Sequence, residues 1–330
     1  MCGLSNPTVT ELDARLETLQ MHHFVTTRDI KRSDVEQLIE MAEWMRQSPR
    51  RSLRDRLLGG VVATLFYEPS TRTRLSFEAA AARLGASVIS AENARENSSA
   101  KKGESLPDVF RVVGRYADVI VIRHFDEQEL EEAVAYSPVP IVSAGAGSGE
   151  HPTQALLDVY TLWREFGTVD NLHICFSGDL RYGRTVHSLL RVLTLFNGVE
   201  VTLANTPGLE LPAFLADELR SAGLKLHEES DWSVALAQTD ALYQTRIQRE
   251  RFDPATAMSE AEVQDSLRGI GLKQLALMKH GARILHPLPR VGEIDPAVDT
   301  DERAAYFRQV ENGMFVRMAL LDHLLKEALK

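Results

Sequence analysis

A chain of 330 residues with 44% hydrophobic content is long enough for two cores of ordinary domain size, which excludes global disorder. No apolar run approaches the roughly 20 residues that span a bilayer, and the N-terminus lacks a charged-then-apolar leader, so a soluble, cytoplasmic protein with no membrane partner is expected. The net charge of -10 argues against nucleic acid as the main partner, and the two cysteines, Cys2 and Cys175, exclude a disulfide framework and a cysteine-based zinc site.

In chain order, residues 1 to about 21 read as a polar lead-in. Residues 29–46 then place Ile30, Val35, Leu38, Ile39, Ala42 and Met45 at helical spacing, which predicts a first helix. The run 61–66 is continuously apolar and reads as a strand buried on both faces. Beyond the turn at 67–70, Leu75, Ala79 and Ala82 recur at helical spacing and Gly85 supplies a stop, giving strand, tight turn, helix. Arg72 and Arg74 fall in the first turn of that helix, where the macrodipole already places about half a positive charge; each should cost about 0.3–1 kcal/mol unless an anion is present. A phosphate resolves the conflict, because backbone N–H groups, the hydroxyls of Ser70, Thr71 and Thr73, and a guanidinium can all point at it. The plain alternative is a solvated helix start with ordinary Ser/Thr capping.

Further strands are predicted at 87–90, 117–122 and 139–144, with a polar loop over 97–105 and a helix over 106–115. A helix beginning near His151 and ending by Gly167 joins this series to a second one. There the pattern predicts strands at 172–176, 200–204, 241–243 and 283–285, helices at 186–196 and about 211–222, and a last helix over 314–329. Cys175, inside the first of these apolar runs, reads as a small core residue. Strand alternating with helix is the pattern of parallel sheets covered on both faces. The expected fold is α/β, two doubly wound parallel-sheet domains with an active-site cleft between them.

Ligands collect at the carboxyl ends of strands in such sheets, and each notable polar loop follows a strand: Ser70–Thr73, Arg123–His124, His151–Gln154, Tyr182–Thr185, Thr245–Gln248 and His286–Arg290. Arg72, Arg123, Arg184 and Arg246 can fork onto phosphate or carboxylate. No nucleophile elbow, Walker lysine or His-x-x-x-His pair occurs, so catalysis by positioning and charge stabilisation fits better than covalent or metal catalysis, and no cofactor is expected. Singly, each element also has a plain reading. Arg74 and Glu78 suit an i,i+4 pair, and Pro287 with Pro289 a rigid turn.

In this order, Ser70-Thr71-Arg72-Thr73-Arg74, Lys101-Lys102-Gly103-Glu104, Arg123-His124, His151-Pro152-Thr153-Gln154, the loop from Gly178 to Thr185, Thr245-Arg246-Ile247-Gln248 and His286-Pro287-Leu288-Pro289-Arg290 resemble the carbamoyltransferase family, and within it the branch that acts on aspartate. The likeness runs from about Met21 to the C-terminus. The ornithine branch resembles a His-Cys-Leu-Pro pattern where this chain has Leu288 between prolines, and Arg184, Arg246 and Gln248 suit a dicarboxylate better than a cationic side chain. Ala146 departs from the family, which often carries Asp in that Gly-rich loop, and the first 20 residues find no counterpart.

The resemblance implies transfer of the carbamoyl group of carbamoyl phosphate to the α-amine of L-aspartate, without cofactor or metal, in pyrimidine synthesis. It implies a carbamoyl phosphate-binding domain at 1–152, with a final helix at about 312–330 packed back on it, and an aspartate-binding domain at 153–311. Ser70, Thr71, Arg72 and Thr73 would hold the phosphate, while Thr73, Arg123 and His151 polarise the carbamoyl oxygen. Gln154 and the carbonyls of Pro287 and Leu288 would accept from the carbamoyl amine, and Arg184, Arg246 and Gln248 would bind aspartate. Ser98 and Lys102 would reach the active site of a neighbouring subunit, implying a homotrimer; a solvated Lys-Lys loop is the plain alternative. The family also joins catalytic trimers to regulatory chains or to a dihydroorotase-type partner, and the resemblance allows either. A carbamoyltransferase for another amine and a catalytically silent scaffold are the competing readings.

Overall fold

The computed structural model describes residues 19, 21–97, 102–147, 149–204, 206–248 and 269–328. Nearly all of the lead-in, and Ser98 and Lys101 of the polar loop, lie outside them. The chain forms two compact units, one from Met1–Leu156 with Glu311–Lys330, the other Leu157–Val310. Each is built on its own parallel sheet.

In the first unit, helix α1 (Arg32–Gln47) precedes strands β1 (Val61–Phe66), β2 (Ser87–Glu92), β3 (Val119–His124) and β4 (Ile141–Ala146), which lie in the order β2-β1-β3-β4. β1 is buried from Val62 to Phe66 because parallel crossovers put helices on both faces. β2, at the edge, is largely exposed. Helices α2 (Thr71–Leu84), α3 (Leu106–Val113) and α4 (Glu127–Val134) connect the strands.

The buried face of α2 differs from the expected one. Phe77, Ala80, Ala81 and Leu84 are buried, whereas Leu75 is 52% exposed and Ala82 is exposed. The stripe beginning at Phe77 has the same helical spacing and adds an aromatic ring, so it removes more apolar area from water. β3 also runs further than expected and includes Arg123 and His124. Its ladder continues through Phe66↔Arg123 and His124↔Ala146, so backbone pairing overrides the polar side chains.

The second unit follows helix α5 (Pro152–Phe166), within which the division between the units falls, a few residues beyond the expected boundary at 152/153. It contains β5 (His173–Ser177), α6 (Arg184–Leu193), β6 (Glu200–Ala204), α7 (Ala213–Ser221), β7 (Lys225–Glu228), α8 (Trp232–Gln238), β8 (Ala241–Gln244) and β9 (Arg283–Leu285). The sheet order is β7-β6-β5-β8-β9, all parallel. Cys175 is fully buried in its core beside Leu236, Leu242, Ile284 and Tyr306.

Among the elements named above, three are not foreshadowed by the hydrophobic pattern. α4 buries only Leu130 and Ala133, and its start is fixed by the Asp126 side chain, which accepts the Glu129 N–H at 3.0 Å. α8 is started in the same way by Asp231. β7 is a short polar edge strand, too weakly apolar to announce itself.

The last helix, α9 (Tyr306–Ala328), begins earlier than the expected position 314. Its first turns bury Gln309 and Asn312, polar side chains that interrupt the apolar period. Its C-terminal part is fastened within the first unit. Arg56 Nε and Nη2 each lie 2.6 Å from the fully buried carboxylate of Asp322, and Arg317 Nη1 donates to Ser76 Oγ on α2 at 2.9 Å. No helix among the described residues is long and apolar enough to cross a membrane.

Candidate active site

Chain order determines where polar loops meet. In the first sheet the chain steps from β1 outward to β2 and then returns to the other side of β1 for β3 and β4. The carboxyl ends of β1 and β3 are therefore the topological switch point, where open α/β sheets take ligands. Phe66 pairs with Arg123, and the Tyr67 N–H donates to the Arg123 carbonyl at 2.9 Å, so the turn into α2 rises beside Arg123.

Ser70 is the N-cap of α2, but its side chain makes no capping hydrogen bond. The first N–H groups of the helix consequently lack both intrahelical and side-chain acceptors from the cap. An ordinary capped start is not what forms. Ser70 is half-buried, Thr71 and Arg72 are exposed, and Thr73 is buried.

Arg74 leaves this set. It lies 2.9 Å from Glu92 and 3.7 Å from Glu78, and donates to Ser90 Oγ at 3.4 Å. Residues two apart on a helix face opposite sides, and Arg74 is neutralised on the side of β2, so the i,i+4 pairing with Glu78 is the correct reading of it. Arg72, the second residue of α2, stays on the exposed side.

Arg123 Nη1 donates to the Ala144 carbonyl at 3.3 Å, and Nη2 lies 3.4 Å from Glu68 Oε2. His124 is engaged in its own turn, with Nδ1 3.0 Å from the Asp126 carbonyl oxygen and 3.2 Å from the Asp126 backbone nitrogen, and its ring meets the edge of Tyr67 with centroids 5.0 Å apart. Burial, with Glu104 and Glu129 adding to it, pushes the Tyr67 hydroxyl up to about 12, so Tyr67 stays protonated at neutral pH.

After β4, the Ala146 N–H donates to the Glu150 carbonyl at 3.1 Å and Gly147 takes φ +46°; a Cβ there would lie 2.8 Å from the Phe125 carbonyl oxygen. Ala146 itself is buried, so the small side chain fits a closed turn. Glu150 is buried and accepts from Thr27 N at 2.6 Å, Thr27 Oγ1 at 2.9 Å and Thr26 Oγ1 at 3.2 Å. That clamp holds the residue immediately before His151. Pro152 opens α5, the position where its missing N–H costs nothing, and His151 and Gln154 are both buried at the helix start.

The second sheet repeats the logic. The chain steps from β5 outward to β6 and β7, then returns for β8 and β9, so the switch point lies at the carboxyl ends of β5 and β8. Gly178 takes φ +100°, and a Cβ there would sit 2.2 Å from the Thr245 carbonyl oxygen, so glycine lets the two loops touch. Asp179 is fully buried between them. One of its oxygens accepts the Tyr182 N–H at 2.8 Å, the other the Gln248 N–H at 3.1 Å, and its own N–H donates to Thr245 Oγ1 at 2.9 Å. Gln248 Nε2 donates to the Tyr182 carbonyl at 2.9 Å, leaving the second amide hydrogen for another acceptor.

Arg184 is the first residue of α6 rather than part of the preceding loop, because Gly183 serves as N-cap; it is buried. Arg246 is half-buried with Nη1 3.4 Å from the Ile247 carbonyl oxygen. Arginines, one of them the first residue of a helix, are groups of the kind that carboxylates take as partners.

Pro287 and Leu288 are half-buried in the loop after β9. Lys102 is exposed, immediately before Gly103, which takes φ +90°. Glu68, Glu150 and Asp179 contact or adjoin these residues, and the sequence reading does not single them out. Their signal is an acid within two residues of a motif residue: Glu68 before Ser70, Glu150 before His151 and Asp179 after Gly178. Among the described residues no group of His, Cys, Asp and Glu side chains is arranged to hold a metal ion.

Residues 22–164 match the family model described as the carbamoyl-P binding domain of aspartate/ornithine carbamoyltransferase, and residues 170–324 match its Asp/Orn binding domain. The multifunctional protein pyr-3 of Neurospora crassa is 48% identical over 97% of this chain, which spans only 17% of that protein's length. The aspartate carbamoyltransferase catalytic subunit of Thermococcus gammatolerans is 47% identical over 90% of this chain and 95% of its own. Aspartate transcarbamoylase from Trypanosoma cruzi, solved in complex with carbamoyl phosphate, superposes with a TM-score of 0.86 at 37% identity, covering 94% of this chain and 98% of that one.

Proposed function

This chain belongs to the aspartate/ornithine carbamoyltransferase family, and from that premise we propose that it transfers the carbamoyl group of carbamoyl phosphate to the α-amine of L-aspartate. What supports the reading is that residues suited to anions follow the strands at the switch points of both sheets, Ser70 to Thr73 with Arg123 in one and Arg184 with Arg246 and Gln248 in the other.

In this reading the N-terminal N–H groups of α2, the hydroxyls of Ser70, Thr71 and Thr73, and Arg72 hold the phosphate. Thr73, Arg123 and His151 face the carbamoyl oxygen and stabilise the charge it gains as the amine nitrogen attacks the carbon. Gln154 and the carbonyls of Pro287 and Leu288 accept from the carbamoyl amine. Arg184, Arg246 and Gln248 take the two carboxylates of aspartate, which orients its neutral amine for attack. The new C–N bond forms, the C–O bond to phosphate breaks, and the departing phosphate carries away the amine proton. Products are N-carbamoyl-L-aspartate and hydrogen phosphate, so no side-chain general base is required.

Residues up to about 152, with α9, serve carbamoyl phosphate, and residues from there to about 311 serve aspartate. The active form is a homotrimer in which Lys102, with Ser98, completes the site of a neighbour. Support for this comes from the exposure of Lys102, which leaves it able to serve a site other than its own. Mixing Lys102→Ala and Arg72→Ala proteins should then restore activity, since a mixed trimer contains one intact site; proven mixed trimers without activity would remove the shared site.

The decisive assay supplies carbamoyl phosphate with aspartate or ornithine. Product with ornithine and none with aspartate would sink the substrate assignment.

A further inference from the structure

The loop after β9 encloses a buried histidine–carboxylate pair that the reaction as read above does not use. His286 and Glu293 are each only 1% exposed, and His286 Nε2 lies 2.6 Å from Glu293 Oε1. The Leu288 N–H donates to His286 Nδ1 at 2.8 Å, and the Val291 N–H donates to Glu293 Oε2 at 2.8 Å. A third tie enters from α9, where Gln309 Oε1 accepts the His286 N–H at 2.8 Å while its Nε2 donates to Asp158 Oδ1 at 2.6 Å.

This arrangement dictates a tautomer. A ring nitrogen that accepts an amide N–H cannot carry a proton, so Nδ1 of His286 is bare and the ring proton sits on Nε2. Nε2–H in turn requires an acceptor, which the Glu293 carboxylate provides. Burial pushes that carboxyl up, but hydrogen bonds from His286 and the Val291 N–H outweigh it, and Glu293 stays below the usual carboxylate range.

The backbone held by this chain of contacts is unusual. Leu288 takes φ +53°, a region that a branched, non-glycine residue avoids unless its surroundings impose it. Such a residue persists at a functional site when the strain aims a backbone group.

We propose that His286 and Glu293 are positioning residues: Glu293 fixes the imidazole as an acceptor at Nδ1, and Nδ1 fixes Leu288 so that the carbonyls of Pro287 and Leu288 point at the carbamoyl amine. This rests on the reading above that those carbonyls receive that amine. The pair acts on the bond-making step, through orientation, and not on aspartate affinity, which belongs to Arg184, Arg246 and Gln248.

Two substitutions separate the two ends of the imidazole. In His286→Asn the side-chain oxygen falls at the place of Nδ1 and can still accept the Leu288 N–H. In His286→Gln the terminal amide falls at the place of Nε2, still reaching Glu293 but abandoning Leu288. A misplaced carbonyl should cost His286→Gln about 100-fold in kcat, with the aspartate KM changed by less than about threefold, while His286→Asn should stay within about tenfold of the parent kcat. Equal effects in the two variants, including no effect in either, would overturn the proposal. Nitrogen-15 NMR of the unsubstituted protein gives a readout independent of activity and of any variant's folding. The expected signature for His286 is a bare Nδ1 and a proton on Nε2; a proton on Nδ1 overturns the proposal. If the unsubstituted protein carbamoylated no amine, the functional reading would fail while the NMR result still decided the tautomer.

Discussion

In the proposed reading the two strand-end crevices receive anions by different means. In the first unit the receptor is a helix start: Ser70, Thr71 and Arg72 at the open end of α2, with hydroxyls that rotate and N–H groups that the cap leaves alone. In the second, Arg184 is buried at the start of α6, and Gln248 is tied by backbone and side chain to the 178–183 loop through Asp179 and Tyr182. A tetrahedral dianion that must enter as substrate and depart as product suits exposed, adaptable donors. Two carboxylates at a fixed separation demand cations at a fixed separation, and a buried aspartate between two loops supplies that rigidity.

The largest expected effect tests the first crevice. Arg72→Ala should lower kcat/KM for carbamoyl phosphate by about 1,000-fold, because a charge-stabilising group at a developing anion contributes at about that level. Steady-state kinetics would measure it, and a loss below about tenfold would mean that the phosphate is held elsewhere. Arg246→Ala comes next and should raise the aspartate KM by about 100-fold, equivalent to roughly 2.7 kcal/mol of lost binding. Inhibition by inorganic phosphate, a product that needs only the first crevice, should hardly change. Parallel losses for both ligands would erase the distinction drawn between the crevices.

Much of this was legible because function and strand pattern coincide. β1, β5 and β8 are apolar runs, and the polar loops that follow them stand out by contrast. What sequence alone does not reveal is where a side chain turns. Arg72 and Arg74 are equivalent in the first-turn argument, yet Arg74 is neutralised by Glu78 and Glu92, the latter at the far end of the edge strand that follows the helix. Asp179, Glu150 and Glu293 are likewise invisible as supports, because each acts through backbone N–H groups that only the folded loops bring within reach. Leu75 and Phe77 illustrate the same limit in the core, where two stripes have equal periodicity and only packing selects between them.

Asp179→Asn probes the rigidity of the second crevice directly and should have a smaller effect than removing a cation. One oxygen remains for the Tyr182 N–H, but an amide NH2 now faces the Gln248 N–H, two donors with no acceptor between them. The aspartate KM should rise by about tenfold, about 1.4 kcal/mol, with kcat for saturating substrates largely kept. An unchanged KM would show that Gln248 holds its place without Asp179.

The smallest effect concerns acid, and it should fall on the second unit. The hydrogen-bonded Arg303 guanidinium holds the Asp301 carboxyl down at about 2, and Arg290 likewise lowers Asp299. Burial pushes Glu165 up, but hydrogen bonds from Arg308 and Arg283 outweigh it, and its carboxyl also ends below the ordinary range. A carboxyl depressed by folding contributes stability above its unfolded value, near 3.8 for Asp301, and loses it as pH falls through the folded value near 2. Protection of the amides around β9 and the 299–303 segment, taken relative to the intrinsic exchange rate at each pH, should therefore change little from pH 7 to 5 and fall between about pH 4 and 2. Asp301→Asn should exchange faster than the parent at pH 7, with the gap closing as the pH approaches 2. A gap that persisted at pH 2 would assign the role of Asp301 to the geometry of its hydrogen bonds with Arg303, because protonation would then have removed nothing that the substitution removes.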